Sequence, residues 1–288
     1  MANEKELKNP SFSKEIGPNV GFDAAEAYKL LRTNIMFSID GERKCRVIGV
    51  TSSSRGEGKT TTAINIAYTL AEIKKKVLLI DGDMRLPRVA KRTNVESSPG
   101  LSNMLAGLTG GKIPTQQTEL IESLHVISSG DIPPNPSELW GSKTAETLME
   151  MLRENFDFII VDLPPVNVVS DAIVAGNLCD GMLLIVRENY VSTSEVHDAV
   201  EHLKFCKAKL LGFVLTHSEL SSKPYRKYKA GGKYKAYSKG KYGYGYGYGY
   251  GYGYGYGHGY GYGYGYGNSN NDSDSKKSDA SQKKESDK

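Results

Sequence analysis

The chain has 288 residues, and its formal net charge of +4 at pH 7 is unevenly distributed. Eight Lys or Arg and no acid fall in residues 221–241, while the charges of residues 268–288 cancel, which leaves about −4 on the first 220 residues. This acidity argues against a nucleic-acid-binding domain, and we expect no nucleic-acid partner. Three scattered Cys, no signal-peptide pattern and no apolar run of ~20 residues predict a cytoplasmic chain without a membrane span.

The first three quarters of the chain, residues 1–220, predict an α/β domain. Residues 1–20 are polar and predict a flexible N-terminal arm, and residues 21–220 predict the folded domain. Helices are expected at 23–37, 60–73, 142–155, from 171 and at 194–206. Buried strands are expected at 47–50, 76–80, 124–127, 158–161, 181–186 and 212–215. This alternation predicts a mostly parallel sheet flanked by helices.

The remainder of the chain, residues 221–288, predicts a disordered tail. Sixteen of the 19 Tyr lie between Tyr225 and Tyr266, and residues 242–267 are a Gly-Tyr repeat interrupted once, at His258. The repeat contains no Leu, Ile or Val, so it cannot form a packed core. The alternation is also a strand pattern, and association of such tracts through aromatic stacking stays an alternative.

A strand, a glycine-containing loop and a helix follow one another at residues 47–73. Gly56 and Gly58 allow backbone N–H groups to turn towards phosphate oxygens, and the helix N-terminus adds further N–H groups. Lys59 is expected to reach the β- and γ-phosphates, and the Thr60 hydroxyl to coordinate Mg²⁺. The sequence therefore predicts a P-loop NTPase that binds ATP through Ser53, Ser54, Arg55, Gly56, Glu57, Gly58, Lys59, Thr60 and Thr61.

Acidic residues follow two of the predicted strands. Asp81 and Asp83 end one strand and Asp162 ends another, and parallel strands bring both to the sheet edge that carries the loop. Carboxylates beside a triphosphate need a cation, so Asp162 is an expected Mg²⁺ group. One of Asp81 and Asp83 could also hold metal while the other accepts a proton.

These motifs together resemble the bacterial tyrosine kinases, P-loop autokinases that regulate capsule and exopolysaccharide synthesis. Asp81, Asp83 and Arg85 match the family's Walker A-prime motif, and Asp162 matches Walker B. The resemblance implies that Asp81 takes the proton of the acceptor hydroxyl, that Asp83 and Asp162 organise Mg²⁺ with Thr60, and that Lys59 and Arg85 act on phosphate. It further implies autophosphorylation in trans at Tyr242, Tyr244, Tyr246, Tyr248, Tyr250, Tyr252, Tyr254, Tyr256, Tyr260, Tyr262, Tyr264 and Tyr266.

The same resemblance implies partners. Glu26, Lys29 and Arg32 match a helix used for contacts in a ring-like homo-oligomer. A transmembrane adaptor of the polysaccharide co-polymerase type would recruit the chain to the inner face of the membrane, and a cognate tyrosine phosphatase would reverse its activity.

Two departures from the family pattern leave a second possible function open. Arg55 replaces a usual Pro in the loop, and Thr216 replaces an Asn expected near the adenine. The rival function is a partition- or division-type ATPase switch without kinase activity. Such ATPases carry a second Lys where Ser54 stands here, which disfavours that alternative.

Overall fold

The computed structural model describes residues 12–38, 44–207 and 209–218. The chain divides into two units, Met1–Ser222 and Lys223–Lys288, and every described residue belongs to the first. The predicted disordered tail and its acceptor tyrosines therefore lie outside the described residues.

Strands and helices alternate through the described chain. The strands are β1 Arg46–Ser52, β2 Val77–Asp81, β3 Gln116–Gln117, β4 Leu124–Ile127, β5 Phe158–Asp162, β6 Gly181–Arg187 and β7 Lys209–Thr216. The helices are α1 Phe22–Ser38, α2 Lys59–Glu72, α3 Val89–Thr93, α4 Leu101–Leu105, α5 Pro136–Trp140, α6 Lys143–Asn155, α7 Asp171–Gly176 and α8 Thr193–Leu203, with a 3-10 turn at Gly17–Asn19.

The strands form one sheet in the order β3-β4-β2-β5-β1-β6-β7. All neighbouring pairs are parallel except β3 with β4. Strands β2 and β5 are buried along their whole length, as continuous apolar strands between two helical layers should be. The predicted α/β fold with a mostly parallel sheet is thus confirmed.

Helices cover both faces of the sheet because strand side chains alternate in direction. Val47 of β1 joins one apolar core with α6, α7 and α8, whereas Ile48 and Val50 join the other with α2. The parallel register brings the carboxyl ends of β1, β2 and β5 together at one edge. Within the described part of the chain, no helix is both long and apolar enough to cross a bilayer.

The structure differs from the sequence prediction in the last strand and in several short elements. The last strand was expected to be buried, but β7 is an edge strand, and its Phe213 and Leu215 are 54% and 62% exposed. The elements β3, α3, α4 and α5 were not predicted, because two to five residues are too few to show a period.

The predicted flexible arm is wrong for residues 12–20. Phe12 and Ile16 are buried in the core under α2, and Ile16 has no exposed surface. The Gly17 N–H donates to Asn65 Oδ1 at 2.9 Å, and Asn65 Nδ2 donates to the Glu15 carbonyl at 2.8 Å. Two apolar side chains and one buried amide therefore fix a segment whose other residues are mostly polar.

We expect Ile16→Ala to lower the free energy of unfolding by about 2–4 kcal/mol, because it leaves a cavity in a closed core. Denaturant unfolding followed by fluorescence of the single tryptophan, Trp140, measures the change. Ile132→Ala is the matched control, since Ile132 is 67% exposed. Equal stabilities of the two variants would contradict the packed position of residues 12–20.

Candidate active site

The loop between β1 and α2 has the backbone that a phosphate-binding loop requires. Gly56 and Gly58 have φ angles of 84° and 93°, a region that side chains with a Cβ rarely adopt. Helix α2 begins at Lys59, directly after Gly58. The first turn of α2 therefore presents its unpaired N–H groups at the loop, where an anion is favoured.

The side chain of Glu57 holds the loop from behind. It is fully buried, and its Oε1 accepts hydrogen bonds from Ser53 Oγ at 2.7 Å and from the Ser54 N–H at 2.6 Å. Its Oε2 accepts the Arg187 N–H of β6 at 3.1 Å. Glu57 therefore braces the loop, and Ser53, which stands where the loop pattern has Gly, supplies one of the donors.

An open cavity of about 250 Å³ lies over the loop. The predicted nucleotide-binding residues that line it are Arg55, Gly56, Gly58, Lys59, Thr60 and Thr61. Ser53, Ser54 and Glu57 do not line it, because their side chains are used within the loop or on neighbouring elements. Asp83 and Arg85 also line it.

Three carboxylates meet Lys59 at the carboxyl end of the sheet. Lys59 Nζ lies 2.9 Å from Asp83 Oδ2 and 3.8 Å from Asp162 Oδ1. Asp81 and Asp162 are register partners on β2 and β5. Burial opposes the charge of Lys59, but the carboxylates of Asp162 and Asp83 outweigh that effect and raise its pKa. The lysine remains a cation among buried acids.

The buried carboxyls of Asp81 and Asp162 are shifted towards the neutral form. Burial and the neighbouring Asp162 charge raise the pKa of Asp81 to about 8. Burial likewise raises the pKa of Asp162, against the lowering effect of Lys59. The two neighbouring carboxyls repel each other when both are ionised, and Lys59 offsets only part of that repulsion, so a bound metal ion would relieve the remainder.

Asp81 and Asp83 occupy different positions, although only Gly82 separates them in the sequence. Asp81 has no exposed surface, does not line the cavity, and accepts the N–H groups of Arg88 and Val89 at 3.0 and 2.9 Å through Oδ2. Asp83 is 5% exposed and lines the cavity. The structure therefore places Asp83 at the cavity, rather than the Asp81 expected to receive the proton.

The acidic groups fit Mg²⁺. Both oxygens of Asp162 and Oδ1 of Asp81 are buried without a hydrogen-bond partner. Hard carboxylate and hydroxyl oxygens are the ligands that Mg²⁺ takes from proteins, and Thr60 adds a hydroxyl at the cavity wall. Among the described residues, no group of three or more His, Cys, Asp or Glu is arranged to hold a metal ion by itself.

A buried carboxylate holds Arg85 at the cavity wall. Asp171 has no exposed surface and accepts Arg85 Nε at 2.8 Å and Nη2 at 3.0 Å in a bidentate pair. The Ser137 hydroxyl donates to the same carboxylate at 2.8 Å. Arg85 is thus fixed by α5 and α7, which are distant in sequence.

Four residues at this site were not singled out from the sequence. Arg88, Arg92 and Arg187 line the cavity, and Asp171 positions Arg85. Single arginines on an α/β surface carry no motif. Only the spacing Arg85, Arg88 and Arg92 after an acidic strand end would have indicated a basic wall.

Thr216 lies at the end of β7 beside the loop. Its hydroxyl donates to the Glu57 carbonyl at 2.7 Å, and a Cβ placed on Gly58 would lie 3.5 Å from its Cγ2. The next residue, His217, lines the cavity. Thr216 therefore supports the loop backbone in a place where an Asn was expected to contact adenine.

The three α1 residues expected at an oligomer contact are held within the chain. Lys29 Nζ lies 2.8 Å from Glu26 Oε1, and Arg32 Nη1 donates to the Thr69 carbonyl of α2 at 2.7 Å. Exposed apolar side chains stand on the same helix, with Leu30 at 63% and Phe37 at 82% exposure.

The fold and the loop make the chain a P-loop nucleotide-binding protein. A family model described as an AAA domain matches residues 45–211. Tyrosine-protein kinase YwqD of Bacillus subtilis strain 168 is 38% identical over 198 residues, which are 68% of this chain and 82% of that protein. Tyrosine-protein kinase CpsD of Streptococcus pneumoniae serotype 4 is 39% identical over 206 residues, with shares of 70% and 88%.

A solved structure agrees with these relatives. The chimerical protein CapA2B2 superposes with a TM-score of 0.65 at 35% identity, covering 74% of this chain and 96% of that one. The chain therefore belongs to the bacterial tyrosine kinase family, and it is a protein-tyrosine kinase.

We expect Asp81→Asn to stabilise the nucleotide-free chain, because it removes one of two adjacent buried carboxyls and keeps an oxygen for the Arg88 and Val89 amides. The midpoint of thermal unfolding in EDTA should rise by about 2–4 °C. Asp198→Asn, on the exposed surface of α8, is the control and should not change it. A lower midpoint for Asp81→Asn would show that the carboxyl stabilises the fold.

Proposed function

We propose that the chain is an autokinase that phosphorylates the tyrosines of its own residues 242–266 in trans within a homo-oligomer, and that it regulates capsule or exopolysaccharide synthesis. The observation that carries this proposal is the position of Asp83 and Lys59. A carboxylate and a loop lysine face one cavity, and the same chain carries a tract of acceptor tyrosines.

Each side chain has a defined task in the transfer. Lys59, now paired with Asp83, turns to the β- and γ-phosphates of ATP, which releases the Asp83 carboxylate to the acceptor side of the cavity. Thr60 and Asp162 would hold Mg²⁺, with Asp83 beside them, and the metal supplies charge neutralisation on the phosphates. Arg85, fixed by Asp171, steadies the transferring phosphoryl group.

The reaction balances within this site. The tyrosine hydroxyl oxygen bonds to the γ-phosphorus, the bond from that phosphorus to the β–γ bridging oxygen breaks, and ADP leaves with the electron pair. A tyrosine hydroxyl has a pKa of about 10, so a carboxylate that takes its proton aids the attack. We propose Asp83 as the acceptor of this proton, because Asp83 lines the cavity while Asp81 is sealed beneath the Arg88 and Val89 amides.

Partners follow from the family and from α1. We propose that a transmembrane adaptor recruits the chain to the inner face of the membrane and that a tyrosine phosphatase reverses the modification. The exposed Leu30 and Phe37 favour α1 as an oligomer surface. The internal contacts of Arg32 suggest that this residue shapes the α1 surface rather than reaching across it.

Lys59→Met should abolish phosphotyrosine in residues 242–266, because the loop loses its phosphate-binding cation. Mass spectrometry of the full chain after incubation with Mg-ATP measures it. Lys91→Met is the matched control, since Lys91 is exposed on α3 and does not line the cavity. Persisting tail phosphorylation in Lys59→Met would contradict the site. ATP hydrolysis by the native chain without phosphotyrosine would indicate the switch ATPase instead.

Asp83→Asn should lower kcat for tyrosine phosphorylation by about 100-fold or more, the range of a lost general base, with a smaller effect on the KM for ATP. Asp81→Asn should lower kcat less. Initial rates on an added tyrosine peptide at saturating Mg-ATP compare the two variants. A greater loss in Asp81→Asn would transfer the proton-accepting role to Asp81.

A further inference from the structure

Three arginines line the acceptor side of the cavity. Arg85, Arg88 and Arg92 lie on residues 82–92, which we call the arginine strap, and this strap also carries Asp83. Each arginine is anchored at a different point. Arg85 is paired with α7, the Arg88 backbone is held by β2, and Arg92 Nη1 donates to the Thr61 hydroxyl of α2. The strap therefore brings three guanidinium groups and the Asp83 carboxylate to one cavity.

The charge of the cavity is opposite to that of the domain. Six lining residues are Lys or Arg and two, Glu15 and Asp83, are acidic, whereas the first 220 residues carry about −4. Lys59 and the loop N–H groups serve the transferred phosphate. The Arg88 side chain is exposed and has no hydrogen-bond or ion-pair partner among residues 12–38, 44–207 and 209–218. It is a cation at the acceptor entrance without an assigned anion.

We propose that Arg88, flanked by Arg85 and Arg92, binds a phosphotyrosine that neighbours the tyrosine being phosphorylated. Phosphorylation of the Gly-Tyr tract would then accelerate itself, because each new phosphate improves the binding of the next acceptor. This inference rests on the proposed function. The chemistry is the same transfer from ATP, and the bound phosphotyrosine is an earlier product of it.

The spacing of the repeat fits this arrangement. In an extended chain, side chains two residues apart lie on the same face and about 7 Å apart. Successive tyrosines of the tract are two residues apart. With one hydroxyl at Asp83, the phosphate of its neighbour would lie about one such spacing away, and Asp83 and Arg88 line the same cavity. A phosphate carries about −1.5 to −2 charges and accepts bidentate hydrogen bonds from a guanidinium, which an unmodified tyrosine cannot do.

The experiment uses the full chain, Mg-ATP and heptapeptides in which Gly alternates with aromatic residues. The central Tyr is the single acceptor in every peptide. In the reference peptide, both aromatic residues that neighbour the acceptor are Phe. In two other peptides, either the N-terminal or the C-terminal neighbour is phosphotyrosine. In a fourth peptide, one of these neighbours is replaced by Glu. Mass spectrometry of the peptide at short times gives kcat/KM for each, and the ratio to the reference peptide is compared within each enzyme.

We expect about a tenfold preference of the native chain for at least one phosphotyrosine peptide, the size of one to two charge-assisted hydrogen bonds, and a smaller preference for Glu. Arg88→Ala should reduce that ratio to about twofold or less. The Arg88 side chain has no partner to lose among the described residues, so the fold should be unaffected, and an unchanged thermal midpoint verifies this. Lys91→Ala removes an exposed charge from the same stretch of chain and should keep the native ratio.

Equal rates on the reference and phosphotyrosine peptides would overturn the subsite while leaving the kinase intact. The subsite would also be overturned if the preference for the phosphotyrosine peptide survived in Arg88→Ala, or if it disappeared equally in Lys91→Ala. In either case the electrostatic field of the protein as a whole, rather than Arg88, would be responsible. A chain that hydrolyses ATP but modifies no peptide and no tail tyrosine would overturn the proposed function together with this inference.

Discussion

The ion pair between Lys59 and Asp83 is the interaction on which the site depends. It places one cation among three carboxylates at the end of a parallel sheet, where Asp81 and Asp162 are almost fully buried. Burying like charges together is unfavourable, and neither Asp162 oxygen is satisfied by a hydrogen bond. The arrangement lowers the stability of the fold, as is common where function sets the residues.

The phosphate-binding loop beside these carboxylates is held rigidly by hydrogen bonds. Glu57 ties the loop to β6 through the Arg187 amide, and Thr216 ties it to β7. The loop is therefore fixed by two strands that follow it by more than a hundred residues. Because its amides are already oriented, phosphate binding requires little reorganisation of the backbone.

The part of the cavity that the arginine strap lines is built differently, from charged side chains. A buried carboxylate, Asp171, fixes Arg85, whereas Arg88 extends from the surface without a partner among the described residues. An acidic domain with a basic cavity concentrates anionic groups at the site and disfavours them elsewhere. The arginines of the strap can thus select the substrate by its charge, while the residues of the loop and of the strand ends carry out the phosphoryl transfer.

The sequence by itself determined the α/β class, the loop with Lys59 and Thr60, and the meeting of Asp81 and Asp162, because strand order along a parallel sheet brings strand ends together. Only the tertiary structure decided that Asp81 is sealed while Asp83 faces the cavity, since burial depends on where residues 84–92 fold back. It likewise decided the packing of residues 12–20 through Ile16, and the pairing of Arg85 with Asp171. A short stretch of sequence shows the periodicity of its helix or strand and the chemistry of its side chains. These contacts instead join segments up to 86 residues apart, so they leave no periodic signal in the sequence.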